Sequence, residues 1–322
     1  MNKISFIVIC YNQVDDIDNV FESIFNQNVD QDYEVIVSDD GSTDGTIEKI
    51  QKWKEKYHDK LKLFIQPRDK NIAINVMTRI ANSFKCAMKN MTGQYFCLFD
   101  GDDYCVNNNF AKNAIEIMDK DSSIGSVVFD FEYRFLDKRE KAYYHVSDEG
   151  IVDKYAFFAN NYAHSGTFVF RNNLNNSRID ELTNSPFVID NTIIPFMLQF
   201  GNLYYKPELS YSYRVFGGTW DKRIDEEKFV FTVLISAILS KISSRFQAAF
   251  DKRIFQSFKY IYDNKQNLRP NMDKDTFDQY VKIAKDYKSY FIYDCLFWNE
   301  INFLKRIRLF FCYKLLKSKL GL

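Results

Sequence analysis

Tyr33-Glu-Val-Ile-Val-Ser-Asp-Asp-Gly-Ser-Thr-Asp-Gly45 decides the fold, because an apolar strand runs directly into a carboxylate-rich turn. The run is too short for a helix, and Asp39-Asp40-Gly41 breaks it. Upstream the same plan appears in Ile4-Ser-Phe-Ile-Val-Ile-Cys10, nearly all apolar, which ends in Tyr11-Asn12. A strand covered on both faces should read this way. Downstream, Tyr95 to Phe99 runs into Asp100-Gly101-Asp102-Asp103, and Leu61 to Ile65 supplies one more strand. Between the strands the period changes. Ile17, Val20, Phe21, Ile24 and Phe25 recur at helical spacing, as do Ile47, Ile50, Trp53 and Tyr57, and residues 72 to 91 read as mainly helical. This alternation predicts right-handed crossovers and an α/β fold, with a Rossmann-like, mostly parallel sheet flanked by helices.

Ligands bind such sheets at the carboxyl ends of the strands. Asp39, Asp40, Asp100, Asp102 and Asp103 are therefore expected on one rim, beside Cys10, Tyr11 and Asn12. Either acidic segment taken singly is equally well explained as turn chemistry. Two of them, each directly after a buried strand, favour a site. Crowded carboxylates raise one another's pKa unless a cation joins them. Hard oxygen donors suit Mg²⁺ or Mn²⁺, which keep coordination positions for phosphate oxygens. No GxGxxG, GxxxxGK[ST] or HExxH motif is present, so a dinucleotide fold, a Walker ATPase and a zincin are not indicated.

Composition narrows the class further. The chain of 322 residues balances 43 basic against 43 acidic side chains, which argues against a nucleic-acid partner. Cys10, Cys86, Cys97, Cys105, Cys295 and Cys312 form no CxxC pair, so neither a disulfide framework nor a zinc site is expected. The longest strongly apolar stretch, Phe229 to Leu239, is shorter than the ~20 residues a membrane-spanning helix needs. With no signal-peptide pattern after Lys3, the expected location is cytoplasmic.

Together the segments resemble family 2 glycosyltransferases, the inverting enzymes with the GT-A fold. Four pieces carry the resemblance, in family order over roughly residues 3 to 220: Ser5 to Asn12, Glu34 to Asp44, Gly93 to Tyr104, and Tyr213-Arg-Val-Phe-Gly-Gly-Thr-Trp220. It implies a nucleotide-sugar-binding half over 1–105, an acceptor-binding half over 106–222 and a C-terminal helical extension over 223–322. Cys10, Tyr11 and Asn12 would line the nucleotide, Asp39 would accept from the uracil N–H with Asp40 beside it, and Asn71 would lie near the nucleoside. Asp100 and Asp102 resemble the DxD signature, with Gly101 between them. Asp100 would face the ribose and the metal, and Asp102 the metal bridging the diphosphate. Asp190, in Phe187-Val-Ile-Asp-Asn191, sits where the family carries its catalytic base; an N-cap carboxylate is the other reading. His164, Arg214 and Trp220 are candidates for acceptor or sugar contact, the Arg by holding its loop.

The resemblance is incomplete. Cys10 stands where Pro is usual, Phe84-Lys85 replace an Arg-Asn pair, and Phe216 occupies the place of a His near the metal. The implied activity is hexosyl or N-acetylhexosaminyl transfer, with inversion, from a UDP-sugar to a glycan or lipid-linked glycan, in cell-surface polysaccharide synthesis. A non-catalytic nucleotide-sugar binder is a second reading, given Phe216. A metal-dependent phosphohydrolase fits less well: Tyr104 stands where such enzymes want Thr or Val, and the DxD strand is not the first. A nucleotidyltransferase would need a Gly-rich N-terminal loop that is missing. Finally, residues 301 to 322 carry Lys305, Arg306, Arg308, Lys314, Lys317 and Lys319 and no acid. Leu304, Ile307, Phe311 and Leu315 share one helical face, so the segment either docks peripherally on an anionic membrane or packs on the enzyme.

Overall fold

Strand β1 (Ile4–Cys10) is buried along its whole length, as expected of a strand with helices on both faces. In the computed structural model, which describes residues 3–29, 32–68, 76–146, 148–183, 190–217, 224–242, 246, 257, 259–272, 274–286 and 290–319, β1 pairs in parallel with β2 (Tyr33–Asp39). Strand β3 (Leu61–Ile65) lies outside β2, and β4 (Tyr95–Asp100) pairs with the other edge of β1, all in parallel. Register sets Cys10 opposite Asp39 and Ile9 opposite Asp100, so the acidic turns flank the end of β1.

The expected helices form. Helix Ile17–Phe25 buries Ile17, Val20, Phe21 and Ile24, the stripe read from the sequence. Helix Thr46–Tyr57 packs beside it through stacked rings: Phe25 and Trp53 lie 5.6 Å apart and 3° from parallel. At the opposite end of the strands, Glu34 is buried and accepts from Ser5 Oγ, Thr92 N and Lys62 Nζ at 2.6–2.8 Å. Burial pushes its carboxyl up, and these bonds overcome that to hold it below the usual glutamate range.

Six further strands complete one ten-stranded sheet: β5 (Tyr104–Cys105), β6 (Ile124–Arg134), β7 (Arg139–Lys141), β8 (Gly150–Val152), β9 (Phe168–Arg171) and β10 (Asn202–Arg214). The spatial order is β3-β2-β1-β4-β9-β6-β10-β5, with β7 on β6 and β8 on β10. The longer ladders are parallel, but β9 runs antiparallel to both β4 and β6. Beyond β9 the chain forms helices Asn176–Thr183 and Asp190–Met197 and then β10. Strand β10 escapes detection because Pro207 interrupts it and register shifts fall between Lys206, Leu209 and Tyr211, which spoils strict alternation.

The chain divides into compact units Met1–Phe216 and Gly217–Leu322. The second is helical where described, with helices Asp225–Ile242, Lys274–Asp286, Tyr290–Leu296 and Phe303–Lys319. Val230, Leu268, Tyr280, Ile292 and Leu309 are buried within it. Among the described residues no helix is long and apolar enough to cross a membrane.

Candidate active site

Strand direction assembles the site. Strands β1, β2, β4, β6 and β10 all run toward the same rim, so their last residues meet there. Because β9 runs the other way, the residues before it, including His164, arrive at that rim as well. Arg134 and Arg214 end β6 and β10 as direct register partners.

On the β2 side, Asp39 is fully buried and builds its own turn. One oxygen accepts from Ser42 N at 2.7 Å, the other from Ser42 Oγ at 2.5 Å and the Cys10 thiol at 3.4 Å. A uracil N–H would share an oxygen with Ser42. Burial, then the Asp39 charge, pushes the Cys10 thiol up, so it stays protonated. Asn12, at φ 51°, accepts from Thr43 N and donates its own N–H to Ser42 Oγ, both at 2.8 Å, lacing the end of β1 to the turn. Asp40 is gripped by Arg68 Nη2 at 2.5 Å and Arg79 Nη1 at 3.2 Å. The Arg68 guanidinium lies 3.5 Å from the ring centre of Tyr11, which holds that exposed ring at the rim as a stacking surface.

On the β4 side, the three carboxylates differ. Asp100 keeps 42% of its side chain exposed, with His164 Nε2 at 3.3 Å. Asp103 is buried and accepts from Tyr211 Oη at 3.1 Å and from Arg214 N at 2.7 Å, with His164 at 3.7 Å. Asp102 lies 3.5 Å from Arg214 Nη1, and its carbonyl accepts from Arg134 Nη2 at 2.5 Å. Burial, then repulsion from Asp100, pushes the Asp102 carboxyl up to about 6. Burial drives Asp103 up too, against the pull of His164. Asp16 sits between the two arginines, accepting from Arg214 at 2.6 Å with Arg134 at 3.6 Å. The buried Nε atoms of Arg134 and Arg214 have no hydrogen-bond partner.

Ligand atoms of Asp100, Asp103 and His164 lie within 4.8 Å of one another. The carboxylates suit a hard divalent cation: Asp100 is open to solvent, and a cation would offset the charge crowding that opposes ionisation of Asp102. His164 does not fit. Its Nδ1 accepts from Gly166 N at 3.2 Å, which puts the proton on Nε2 and makes that atom a donor toward the carboxylates. Buried and stacked on Tyr213 at 4.6 Å, His164 is part of the floor. The Arg214 guanidinium covers the Phe216 ring at 4.8 Å. Asp190 opens helix Asp190–Met197; its side chain, and all of Asn71 and Trp220, lie outside the described residues.

Gly101 is fixed by close approach. A Cβ there would lie 2.2 Å from Gln13 Oε1 and 2.5 Å from Cys10 Cβ. Gly101→Ala should lower stability by about 1–3 kcal/mol through overpacking, read as an earlier urea midpoint at unchanged m-value. An unchanged midpoint would mean the turn has room to move.

Sequence reading missed Asp16, Arg68, Arg79 and Arg134. Asp16 and Arg68 follow within a few residues of strand ends, a positional signal that motif matching overlooks.

Three comparisons bear on this arrangement. The chain matches Glycosyl transferase family 2 over residues 5–178, which takes in both acidic turns and His164. It is 30% identical over 138 residues (43% of this chain, 48% of the relative) to UDP-Glc:alpha-D-GlcNAc-diphosphoundecaprenol beta-1,3-glucosyltransferase WfaP of Escherichia coli. It is 31% identical over 109 residues (32% of this chain, 15% of the relative) to a poly(ribitol-phosphate) beta-glucosyltransferase of Bacillus spizizenii. The matched stretch thus spans less than half the length of these curated relatives. Among solved structures, S. aureus TarS in complex with UDP-GlcNAc superposes with a TM-score of 0.57 at 18% identity, covering 88% of this chain and 80% of that one. That likeness concerns the fold, which is of the GT-A kind. With more than half of its length inside the family match, and the site-bearing turns within it, this chain belongs to glycosyl transferase family 2.

Proposed function

We propose that this enzyme transfers a hexose or N-acetylhexosamine from a UDP-sugar to a hydroxyl of a glycan or lipid-linked glycan, with inversion, at the inner face of a membrane. The observation that carries the reading is the meeting of both acidic turns at the carboxyl end of β1, with Asp39 opposite Cys10 and Asp100 opposite Ile9. The E. coli relative, whose name records UDP-Glc and a diphosphoundecaprenol-linked acceptor, supports the choice of donor and acceptor class.

In this proposal Tyr11 stacks on the base, the Cys10–Asn12 backbone lines the nucleoside with Asp39, Asp40 and Asn71, and Asp100 faces the ribose. Asp100 and Asp102 hold Mg²⁺ or Mn²⁺, which neutralises charge on the diphosphate. Asp190 takes the proton of the acceptor hydroxyl. The hydroxyl oxygen bonds to the anomeric carbon as the carbon–oxygen bond to the diphosphate breaks, and UDP leaves with the electron pair. One displacement inverts the anomeric centre. Arg134 and Arg214, fixed by Asp16, keep positive charge beside the departing group, a place the missing Arg-Asn pair would otherwise fill. Trp220 offers a ring to the acceptor sugar.

The test is thermal stabilisation by UDP with and without Mn²⁺. Near saturation the melting temperature should rise by about 5 °C with the ion, and Asp102→Ala should abolish the rise. An equal rise in variant and parent would remove Asp102 from the metal site. Stabilisation without any sugar transfer would favour a binding protein.

A further inference from the structure

Among the described residues, helix Phe303–Lys319 presents two apolar faces, one packed and one exposed. Leu309 is buried in the second unit, and Tyr313 beside it stacks on Tyr262 at 4.6 Å and 7° from parallel. On the other side Phe303, Leu304, Ile307, Phe310, Phe311 and Leu315 are all exposed, Leu304 at 75% and Phe311 at 58%. At 3.6 residues per turn these six fall within an arc of about 140°, centred opposite Leu309. Apolarity on both sides is why the segment reads as only weakly amphipathic in sequence. Six large apolar side chains held out together on one helix form a patch that single exposed residues do not.

Charge identifies what covers it. No acidic residue occurs from Ile301 to Leu322. Arg306 and Arg308 border the apolar arc on opposite edges, each anchored within its own unit, the first on the Trp298 carbonyl and the second on Asp294. Lys314 lies within the arc, its ammonium 5.3 Å from the Phe310 ring centre. A protein partner of ordinary composition has no need of an acid-free face edged by arginines, whereas an anionic lipid surface supplies phosphates at the edges and acyl chains beneath the apolar arc.

We propose that this face docks the enzyme on an anionic bilayer, the helix lying in the interface with Phe303, Leu304, Phe311 and Leu315 among the acyl chains. The inference deepens the membrane placement proposed above, and it rests on the transferase reading only for what the docking would serve.

Co-sedimentation of the full chain with vesicles of phosphatidylcholine, with and without phosphatidylglycerol, tests it. Binding should require phosphatidylglycerol and weaken in high salt. Leu304→Ser/Phe311→Ser should lower the partition constant by about 100-fold or more, and Lys314→Glu by more than about fivefold. Both side chains of the double variant are exposed, so folding should survive; Lys314→Glu serves as the second arm if it does not. Absence of vesicle binding, undiminished binding by the double variant, or a dimer that this variant dissociates would each overturn the proposal, the last because a second copy would then cover the face. UDP-dependent thermal stabilisation, followed in the same variants, should be unchanged. In the parent chain, absence of that stabilisation would count against the donor site, and absence of vesicle binding with stabilisation intact would count against the docking face.

Discussion

Replacing Asp190 by Asn should leave UDP-sugar binding within about twofold while lowering turnover by about 10²–10⁴-fold, the usual contribution of a general base. The amide keeps the size and hydrogen-bonding reach of the carboxylate but cannot take the acceptor proton. The decrease should appear in kcat and in kcat/KM alike, because proton removal matters in the transition state and not in donor binding. Steady-state UDP release, set beside a donor binding isotherm, separates the two effects. A variant that retains parental turnover would send the search for the base elsewhere on the acceptor side. Position is the reason to begin here: Asp190 is the first residue of a helix, within a segment that packs through Ile193, Ile194 and Phe196, all buried. Helix starts favour carboxylates for capping as well, and a capping role would show as lost stability with activity retained.

Asp103→Ala should be the most destabilising single change at the rim, by about 3–5 kcal/mol. Its two oxygens serve Tyr211 Oη and Arg214 N, and Tyr211 is fully buried. Removing the carboxylate also takes away one of the carboxylates that His164 faces. Asp103→Asn keeps one acceptor oxygen and should cost less than half as much. Urea unfolding of the pair gives the comparison; equal midpoints for Asp103→Ala and the parent would mean that the Asp–Tyr–Arg network adds nothing to the fold. Gly166 points the same way, since a Cβ at that position would lie 2.1 Å from Tyr211 Cζ, so the tyrosine reaches Asp103 only because residue 166 has no side chain.

The first four strands were readable because each is a short, mainly apolar run set between helical or turn segments, a pattern that belongs to the strand itself. Residue identity also carried the acidic turns, because Asp-Asp-Gly and Asp-Gly-Asp after such runs are locally unusual. What could not be read depends on partners. Whether β9 lies parallel or antiparallel to β4 leaves no trace in Phe168 to Arg171, and β10 hides behind Pro207 and its bulges. The same holds within the site. Asp39 stands out in the sequence, but only the fold reveals that Ser42 already occupies both its oxygens. His164 could be flagged as unusual; its tautomer, fixed by Gly166 N, could not. The clamp of Asp16 by Arg134 and Arg214 joins residues with no shared local pattern.

That clamp bears on how the molecule comes together. Asp16 and Arg214 are 198 positions apart, so nearly two-thirds of the polypeptide must be synthesised before the guanidinium can reach its carboxylate. Until then the emerging chain holds clustered negative charge with little to balance it, and the long ladder on β6 lacks its mate. Contacts of such sequence separation are slow to close, and an unmated strand edge invites association with other chains. Closure of the acidic rim is therefore deferred to the last step of sheet completion, and a prematurely ended product would be adhesive.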